Sequence, residues 1–325
     1  MADAVLLIGD IGGTNARFAL ADGSPLGYSH ELTLQCADFN TPEVAIEHYL
    51  NAVGAAQPEV ICLAAAGPIV DNSIKFTNNH WLLAGTSLKV TFHAGEVRLL
   101  NDFEAVAYSL PAVSGTATEQ LGELPLASLT SSQFTACVMG PGTGLGAAGL
   151  VARAGQTSAL VTEAGHVGFA PESELQTQLL QALRQRYGRV SDERVVSGMG
   201  IENIYWGLGE INGTATAPVS AADIFEKARS GDEQAAQAVD LFFEILGQIA
   251  GNLVLSLGAF DGAYIAGGIA QRHADLLLSS HFRRGFENKG RHSQLLKAVP
   301  SALITHAQPG LAGAASVARR LAGQE

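Results

Sequence analysis

The chain has 325 residues, of which 47% are hydrophobic and 15% charged, with 37 glycines. This composition excludes a disordered chain and predicts a globular α/β protein with one large domain or two of moderate size. The 19 basic residues are outnumbered by 31 acidic ones, and the net charge of -12 argues against nonspecific binding to nucleic acid or to an anionic membrane.

The cysteines and the apolar segments of the sequence indicate the cellular compartment of the protein. Cys36, Cys62 and Cys137 are widely spaced and form no CxxC pair, which is typical of a reducing compartment and of a protein without structural zinc. The apolar run 5–8 follows no basic segment, so we expect no signal peptide. Polar residues interrupt the longest apolar element, 241–257, so we expect no membrane-spanning segment and a cytoplasmic protein.

The first elements form a strand, a glycine turn and a second strand. The apolar runs Ala4–Ile8 and Ala16–Leu20 predict short strands, and "GDIGGTN" between them contains the glycines of a tight turn. A turn of this kind exposes backbone N–H groups that bind phosphate when no Cβ intervenes. Asp10 is the acidic residue of this turn, where its carboxylate would repel a bare phosphate.

Alternating helices and strands follow. The patterns predict helices at Ala45–Val53 and Phe103–Leu110 and strands at Val60–Ala65 and Val97–Leu100. The segment 111–133 is rich in Ser, Thr, Gly and Pro and lacks periodicity, so we expect the chain to cross between domains there.

The strand–glycine turn–strand pattern then recurs. Strands are predicted at Phe134–Met139 and Ala147–Ala152, with "GPGTGLG" between them. Two units of this kind indicate an internal duplication of a phosphate-binding hairpin.

Helices and strands continue to alternate in the rest of the chain, which favours α/β architecture. Residues 241–257 carry apolar residues four apart, the pattern of a core helix. The predicted elements are helices at Leu175–Tyr187, Ala235–Leu257 and Leu311–Leu321, strands at Ala263–Ala266 and Ala302–Thr305, and a helix after Gly267-Gly268.

The two glycine turns differ from the commonest nucleotide loops. Neither contains the lysine of a Walker A loop, and both run into strands, whereas the dinucleotide-binding fingerprint opens a helix. One such turn alone is an ordinary hairpin without a ligand, but two favour nucleotide binding. Without a lysine, Mg²⁺ has to balance the phosphate charge, which gives Asp10 a function as a metal ligand.

Asn101 and Asp102 in "LLNDFEAVAYSL" lie between a buried strand and a helix. Ligands of open α/β sheets bind at this end of the strands, and a kinase needs a carboxylate there to accept the proton of the attacking hydroxyl. The residues alone leave two roles open for Asp102, helix cap or general base.

Further polar residues have two interpretations each. Glu163 and His166 in "TEAGHVGF" can hydrogen-bond substrate hydroxyls or serve structural roles, and no second His or Cys nearby completes a zinc site. Glu193 in "SDERVVSG" is on its own pattern a first-turn helix acid.

Taken together, "IGDIGGTNARFAL", "LLNDFEAVA", "GPGTGLG", "EAGHVGFAP", "SDERVVSG" and "AYIAGGIA" resemble, in order and spacing, the bacterial glucokinase family of the hexokinase/actin-like superfamily. The resemblance implies a two-lobed, actin-like ATPase (ribonuclease H-like) α/β fold with a ligand cleft between the lobes. It further implies a small α/β domain, 1–111 with 302–325, and a larger α+β domain, 112–301.

The resemblance assigns roles to individual residues. Asp102 is the catalytic base, and Asp10 is the ligand of Mg²⁺. The implied sugar contacts are Asn78, Asn101, Asp102, Glu163, His166 and Glu193. The implied ATP contacts are Asp10, Gly12, Gly13, Thr14, Gly142, Thr143, Gly144, Gly267 and Gly268.

Two comparisons with family patterns refine this resemblance. Family members often carry Thr-Asn-His-x-Trp near the sugar, whereas this chain reads Thr-Asn-Asn-His-Trp, so Asn79 occupies the position of that histidine. The cysteine-rich zinc motif of a related group of sugar kinases and repressors is absent after His166.

The sequence thus predicts an ATP-dependent kinase that converts D-glucose to glucose 6-phosphate, acting as a homodimer without nucleic-acid or membrane partners. The alternative substrates are another hexose, such as mannose, fructose or an N-acetylated sugar. The alternative class is a sugar-binding regulator without catalysis, which would carry a DNA-binding motif before its first strand.

Overall fold

The computed structural model describes residues 4–23, 27–76, 79–126, 128–214 and 217–324. The chain divides into two compact units. Unit 1 comprises Met1–Thr116, Thr157–Val161 and His306–Glu325, and unit 2 comprises Ala117–Gln156 and Thr162–Thr305.

The elements are numbered in chain order. The strands are β1 (Leu6–Ile11), β2 (Asn15–Ala21), β3 (Tyr28–Gln35), β4 (Val60–Ala65), β5 (Ser73–Lys75), β6 (Leu82–Ala84), β7 (Glu96–Asn101), β8 (Thr118–Gln120), β9 (Phe134–Pro141), β10 (Leu145–Arg153), β11 (Gln156–Val161), β12 (Gly262–Ile265) and β13 (Ser301–Ile304). The α-helices are α1 (Pro42–Val53), α2 (Gly85–Phe92), α3 (Asp102–Val113), α4 (Glu174–Tyr187), α5 (Gly198–Asn212), α6 (Ala221–Arg229), α7 (Glu233–Leu257), α8 (Gly268–Arg272), α9 (Ala274–Ser279), α10 (Phe282–Glu287), α11 (Ser293–Lys297) and α12 (Pro309–Leu321).

Unit 1 is built on a sheet with strand order β3-β2-β1-β4-β7. β1, β4 and β7 run parallel, and β2 is antiparallel to both of its neighbours. Helices cover both faces of the sheet: Tyr49 of α1 belongs to one apolar core, and Ala105 of α3 and Leu311 of α12 belong to the other. Burial on both faces explains the continuous apolar run of β4, whose every residue is buried.

The register of the parallel strands brings their carboxyl ends to one edge of this sheet. Ile11 is the partner of Ala65, and Ala65 is the partner of Asn101. The ends of β1 and β7 are therefore two strand spacings apart, about 10 Å. Asp10 and Asn101 thus lie at the same edge of the sheet.

Unit 2 contains a sheet in which β10-β9-β12-β13-β8 are neighbours in that order. Behind the sheet lies a helical core around α7, which has 25 residues. By length and hydropathy α7 is long enough to cross a membrane, but 78% of its apolar window is buried inside the protein, as in a core helix.

The elements expected from the sequence are present, with ends that differ by a few residues. The sequence did not predict several elements, namely β3, β5, β6, β8, β11, α2, α5, α6, α9, α10 and α11. All three cysteines are free and buried.

The bounds of the two units differ from the expected domains, 1–111 with 302–325 and 112–301. The boundary lies after Thr116, because α3 continues to Val113. β13, which the resemblance placed in the small domain, pairs with β12 and β8 and therefore belongs to unit 2. Thr157 lies in unit 1, where its Oγ1 accepts a hydrogen bond of 2.8 Å from Arg320.

Candidate active site

The first glycine turn closes the antiparallel hairpin of β1 and β2. The Gly12 N–H donates to the Asn15 carbonyl at 2.9 Å, and the Cys36 N–H donates to the Thr14 carbonyl at 2.8 Å. Gly13 and Thr14 are exposed, while Gly12 is half-buried. The turn is therefore fixed by backbone hydrogen bonds at its base and open to solvent at its tip, as a phosphate-binding loop requires.

Asp10 is the last but one residue of β1 and is half-buried. Burial raises the pKa of its carboxyl group, and the positive charge of Arg17, its partner in the β1–β2 register, acts in the opposite direction. The Arg17 guanidinium itself bonds to Gln308 Oε1 at 2.7 Å and lies 3.1 Å from a carboxylate oxygen of Glu31. Among the described residues, none donates a hydrogen bond to the Asp10 side chain.

A desolvated carboxylate without a hydrogen-bond donor fits a cation. Across the described ranges, no group of three or more His, Cys, Asp or Glu side chains could hold a metal ion as an all-protein cage. Mg²⁺ is commonly bound by one or two carboxylates, water and substrate phosphates, and this donor set is compatible with Asp10.

Asn101 and Asp102 occupy the junction of β7 and α3. Asn101 Oδ1 accepts hydrogen bonds from the N–H groups of Phe103 at 3.0 Å and Glu104 at 3.3 Å, while Glu104 Oε2 accepts from the Asn101 N–H at 3.1 Å. This reciprocal capping box makes Asn101, and not Asp102, the cap of α3. Asp102 is the first helical residue and half-buried, so the geometry no longer needs it as a cap.

The strand before this junction is held by Asn72. Its Nδ2 donates to the Val97 carbonyl at 2.9 Å, and its Oδ1 accepts from the Leu99 N–H at 2.7 Å. Asn101 Nδ2 in turn donates to the Gly67 carbonyl at 3.1 Å. These bonds fix the direction in which β7 presents Asn101 and Asp102. Neither Asn72 nor Gly67 stands out in the sequence.

The second glycine turn lies in unit 2 between β9 and β10. The Gly142 N–H donates to the Gly144 carbonyl at 2.8 Å, and the Gly198 N–H, at the start of α5, donates to the Gly142 carbonyl at 2.8 Å. Thr143 is exposed between the two glycines. No acidic residue is part of this turn, which distinguishes it from the first.

Glu193 supports this turn from a distant part of the sequence. It lies in the 3₁₀ turn Asp192–Arg194, and its Oε2 accepts a hydrogen bond of 3.0 Å from the Leu145 N–H, directly after the turn. A Cβ atom on Gly144 would overlap this same Glu193 oxygen. Glycine at 144 therefore makes room for the carboxylate.

Glu163, His166 and Glu193 form one polar cluster. His166 Nε2 lies 3.9 Å from Glu163 Oε2, and His166 Nδ1 lies 4.0 Å from Glu193 Oε1. The side chains of Glu163 and His166 are largely exposed. Two carboxylates on either side of an imidazole present acceptors and a donor to solvent, which matches neighbouring hydroxyl groups of a sugar.

Gly267 and Gly268 begin the short helix α8 after β12. Gly267 has φ +88°, and a Cβ atom there would lie 2.6 Å from the Pro141 carbonyl oxygen. Glycine is thus required both by the left-handed backbone and by the close approach to the end of β9. The expected adenosine-pocket residues accordingly lie beside the strand that leads into the second turn.

The structure also gives Asn79 a role. Its Nδ2 donates to the Gly12 carbonyl at 3.5 Å, and its Oδ1 accepts from the Trp81 N–H at 3.1 Å. Asn79 therefore contacts the first glycine turn. Asn78, expected to bind the sugar, lies outside the described residues.

The predicted site residues thus form two groups. Unit 1 brings Asp10, the first turn and the Asn101–Asp102 junction to one sheet edge. Unit 2 brings the second turn, Gly267-Gly268 and the cluster of Glu163, His166 and Glu193 together. Sequence reasoning missed Asn72 and the link from Glu193 to Leu145, which connect residues far apart in the chain.

Known proteins resemble this chain along nearly its whole length. The family model described as Glucokinase matches residues 7–321. A glucokinase of Caulobacter sp. (strain K31) is 42% identical over 95% of this chain and 93% of its own, and a glucokinase of Xylella fastidiosa (strain 9a5c) is 37% identical over 97% and 95%.

A solved structure, a glucokinase from an Antarctic psychrotroph, superimposes with a TM-score of 0.89 at 35% identity, covering 98% of this chain and 99% of its own. The expected α/β fold of the actin-like ATPases is thereby confirmed.

Proposed function

Because the chain belongs to the glucokinase family, we propose that it transfers the γ-phosphoryl group of ATP to the 6-hydroxyl of D-glucose, giving glucose 6-phosphate and ADP. The observation that carries the proposal is the bond from the Leu145 N–H to Glu193. It joins a cluster suited to sugar hydroxyls to a glycine turn suited to phosphate.

Glu163, His166 and Glu193 are proposed to hydrogen-bond the sugar hydroxyls, together with Asn78 and Asn101. A sugar that lacks one of these hydroxyls would leave a polar group of the protein without its partner. This penalty discriminates between sugars far more strongly than a missing apolar contact does.

Asp102 is proposed as the general base. Its carboxylate accepts the proton of the 6-hydroxyl while that oxygen forms its bond to the γ-phosphorus, and the bond between this phosphorus and the β,γ-bridging oxygen breaks to release ADP. Because Asn101 caps α3, a change at Asp102 leaves the cap in place.

The two glycine turns and Gly267-Gly268 are proposed to bind ATP, and Asp10 to bind Mg²⁺ directly or through water. When bound, Mg²⁺ neutralises charge on the phosphate oxygens. Arg17 lies opposite Asp10 on the neighbouring strand, and Gln308, directly before α12, accepts a hydrogen bond from Arg17. We further propose a homodimer in the cytoplasm, on the strength of the family resemblance.

The base assignment is tested with Asp102→Asn. We expect glucose-dependent ADP formation to fall at least about 100-fold, the usual contribution of a positioned general base. Glu174→Gln is the matched control, because Glu174 is likewise an acidic first residue of a helix, α4, but is exposed and outside both groups of site residues. Activity near the wild-type level in Asp102→Asn would show that Asp102 is not the base.

The substrate is tested with a panel of glucose, mannose, fructose and N-acetylated hexoses in a coupled ADP assay. Glucose is expected to give the highest kcat/KM. A higher value with another hexose would overturn the substrate assignment while leaving the reaction class intact.

A further inference from the structure

The beginning of α5 contacts both the sugar cluster and the second glycine turn. Ser197 caps this helix: its Oγ accepts a hydrogen bond of 3.0 Å from the Gly200 N–H. The same hydroxyl donates its proton to the Glu193 carbonyl at 2.8 Å. The next residue, Gly198, donates its N–H to the Gly142 carbonyl at 2.8 Å.

These bonds close a ring. Glu193 continues the ring through its side chain to the Leu145 N–H at 3.0 Å, and Leu145 follows the turn in which the Gly142 N–H bonds to the Gly144 carbonyl. The ring therefore contains both the proposed sugar ligand Glu193 and the proposed phosphate turn. Every member lies in unit 2.

The residues of this hydrogen-bonded ring have little space in which to rearrange when one of them is displaced. Ser197 is 1% exposed, so water does not replace its hydroxyl. Gly144 has no room for a Cβ beside Glu193, and on Gly200 a Cβ atom would lie 2.5 Å from the Val195 carbonyl carbon. A displacement of Glu193 is consequently passed to Ser197 and Gly198 and reaches the Gly142 carbonyl.

We propose that Ser197 is a positioning residue that couples the two ligands: a sugar bound at Glu193 orders the second glycine turn for phosphate, and a bound nucleotide orders Glu193 for the sugar. This inference rests on the proposed function, because it assumes the same two ligands. By thermodynamic linkage, the factor by which glucose tightens nucleotide binding equals the factor by which the nucleotide tightens glucose binding.

The coupling is measured by calorimetry with glucose and with the magnesium complex of a non-hydrolysable ATP analogue, each titrated with and without the other. For the wild-type protein we expect mutual tightening by about tenfold, within the usual range of allosteric coupling. In Ser197→Ala the factor of mutual tightening should fall at least threefold, because the hydrogen bond from the hydroxyl to the Glu193 carbonyl is lost. Ser197→Thr retains a hydroxyl group and should restore the wild-type factor.

Ser220→Ala is the matched control. Ser220 caps α6 in the same unit, where its Oγ accepts from the Asp223 N–H at 3.2 Å, and its contacts lie outside the ring. Both alanine variants lose a helix cap and should be destabilised to a similar extent. Only Ser197→Ala should lose coupling.

An unchanged factor in Ser197→Ala, or an equal loss in Ser220→Ala, overturns the inference. A wild-type protein that phosphorylates glucose but shows no mutual tightening overturns it as well and leaves the proposed function standing. A wild-type protein that neither binds nor phosphorylates glucose overturns both.

Discussion

The two glycine hairpins have the same backbone arrangement but differ in the residues around them. In each, a glycine N–H closes a short turn between antiparallel strands, to Asn15 in the first and to Gly144 in the second. The first turn follows a desolvated acid, Asp10, two residues before Gly12. The second has no acid of its own and receives Glu193 from a 3₁₀ turn 48 residues away.

This difference indicates that the two turns balance the negative charge of a bound phosphate in two different ways. The carboxylate beside the first turn is unsuited to a bare phosphate but suited to a cation that the phosphate brings along. The second turn is neutral and receives the N–H of Gly198 from the start of α5, a helix end that favours negative charge. The Glu193 carboxylate is held by the Leu145 N–H.

The largest expected effect concerns Asp192, next to Glu193. Burial raises the pKa of its carboxyl group from 3.8 to about 7, and among the described residues none donates a hydrogen bond to its side chain. Between about pH 4 and 7 the folded chain retains a proton that the unfolded chain has lost. The free energy of unfolding of the wild type therefore falls as the pH rises through this window.

Asp192→Asn removes this penalty. With about 1.4 kcal/mol for each pKa unit, we expect the variant to be more stable than the wild type at pH 8, by on the order of 4 kcal/mol. The difference should vanish near pH 4, as measured by urea unfolding at a series of pH values. A pH-independent difference for Asp192→Asn would contradict the assignment.

The next largest effect concerns Asp10 and tests whether the first hairpin, unlike the second, depends on a metal ion. Asp10→Asn keeps the side-chain volume but removes the charge, so we expect kcat/KM for Mg-ATP to fall about 100-fold, equivalent to roughly 2.7 kcal/mol. The affinity for glucose in the absence of nucleotide should remain unchanged, because Asp10 is not one of the proposed sugar ligands.

Glu31→Gln serves as the control for Asp10→Asn, since it removes an ion-pair partner of Arg17 and leaves Asp10 intact. We expect its steady-state kinetics to stay close to those of the wild type. A comparable loss of Mg-ATP turnover in Glu31→Gln would assign the effect to Arg17 and not to metal binding at Asp10.

The sequence could predict the parts of the site that depend on neighbouring residues. Both glycine turns follow short apolar runs, whose length and flanking glycines favour strands, and Asn101-Asp102 falls where a strand pattern changes to a helix pattern. The sequence analysis considered Asp102 as the helix cap, whereas the structure gives this role to Asn101, whose capping partner Glu104 is three residues away.

The parts that could not be predicted depend on distant contacts. Asn72 holds β7 through Val97 and Leu99, more than twenty residues later, and no local pattern marks it. The sequence did not predict α5, because this helix contains four glycines, which disfavour an isolated helix. Burial of residues such as Ile201 and Ile204 in the unit 2 core overrides this preference.

The smallest effect isolates the contact on which the second hairpin depends. A Cβ on Gly144 would displace the Glu193 carboxylate from the Leu145 N–H, whereas a Cβ on Gly142 meets nothing within 4 Å. Losing a hydrogen bond to a charged group costs about 1.5 kcal/mol, so Gly144→Ala should raise the KM for glucose roughly tenfold and lower the Tm. Gly142→Ala, the matched control, should keep the wild-type Tm, since its methyl group is unobstructed. Equal Tm values for the two variants would mean that Glu193 is not held by the second hairpin in the way the structure shows.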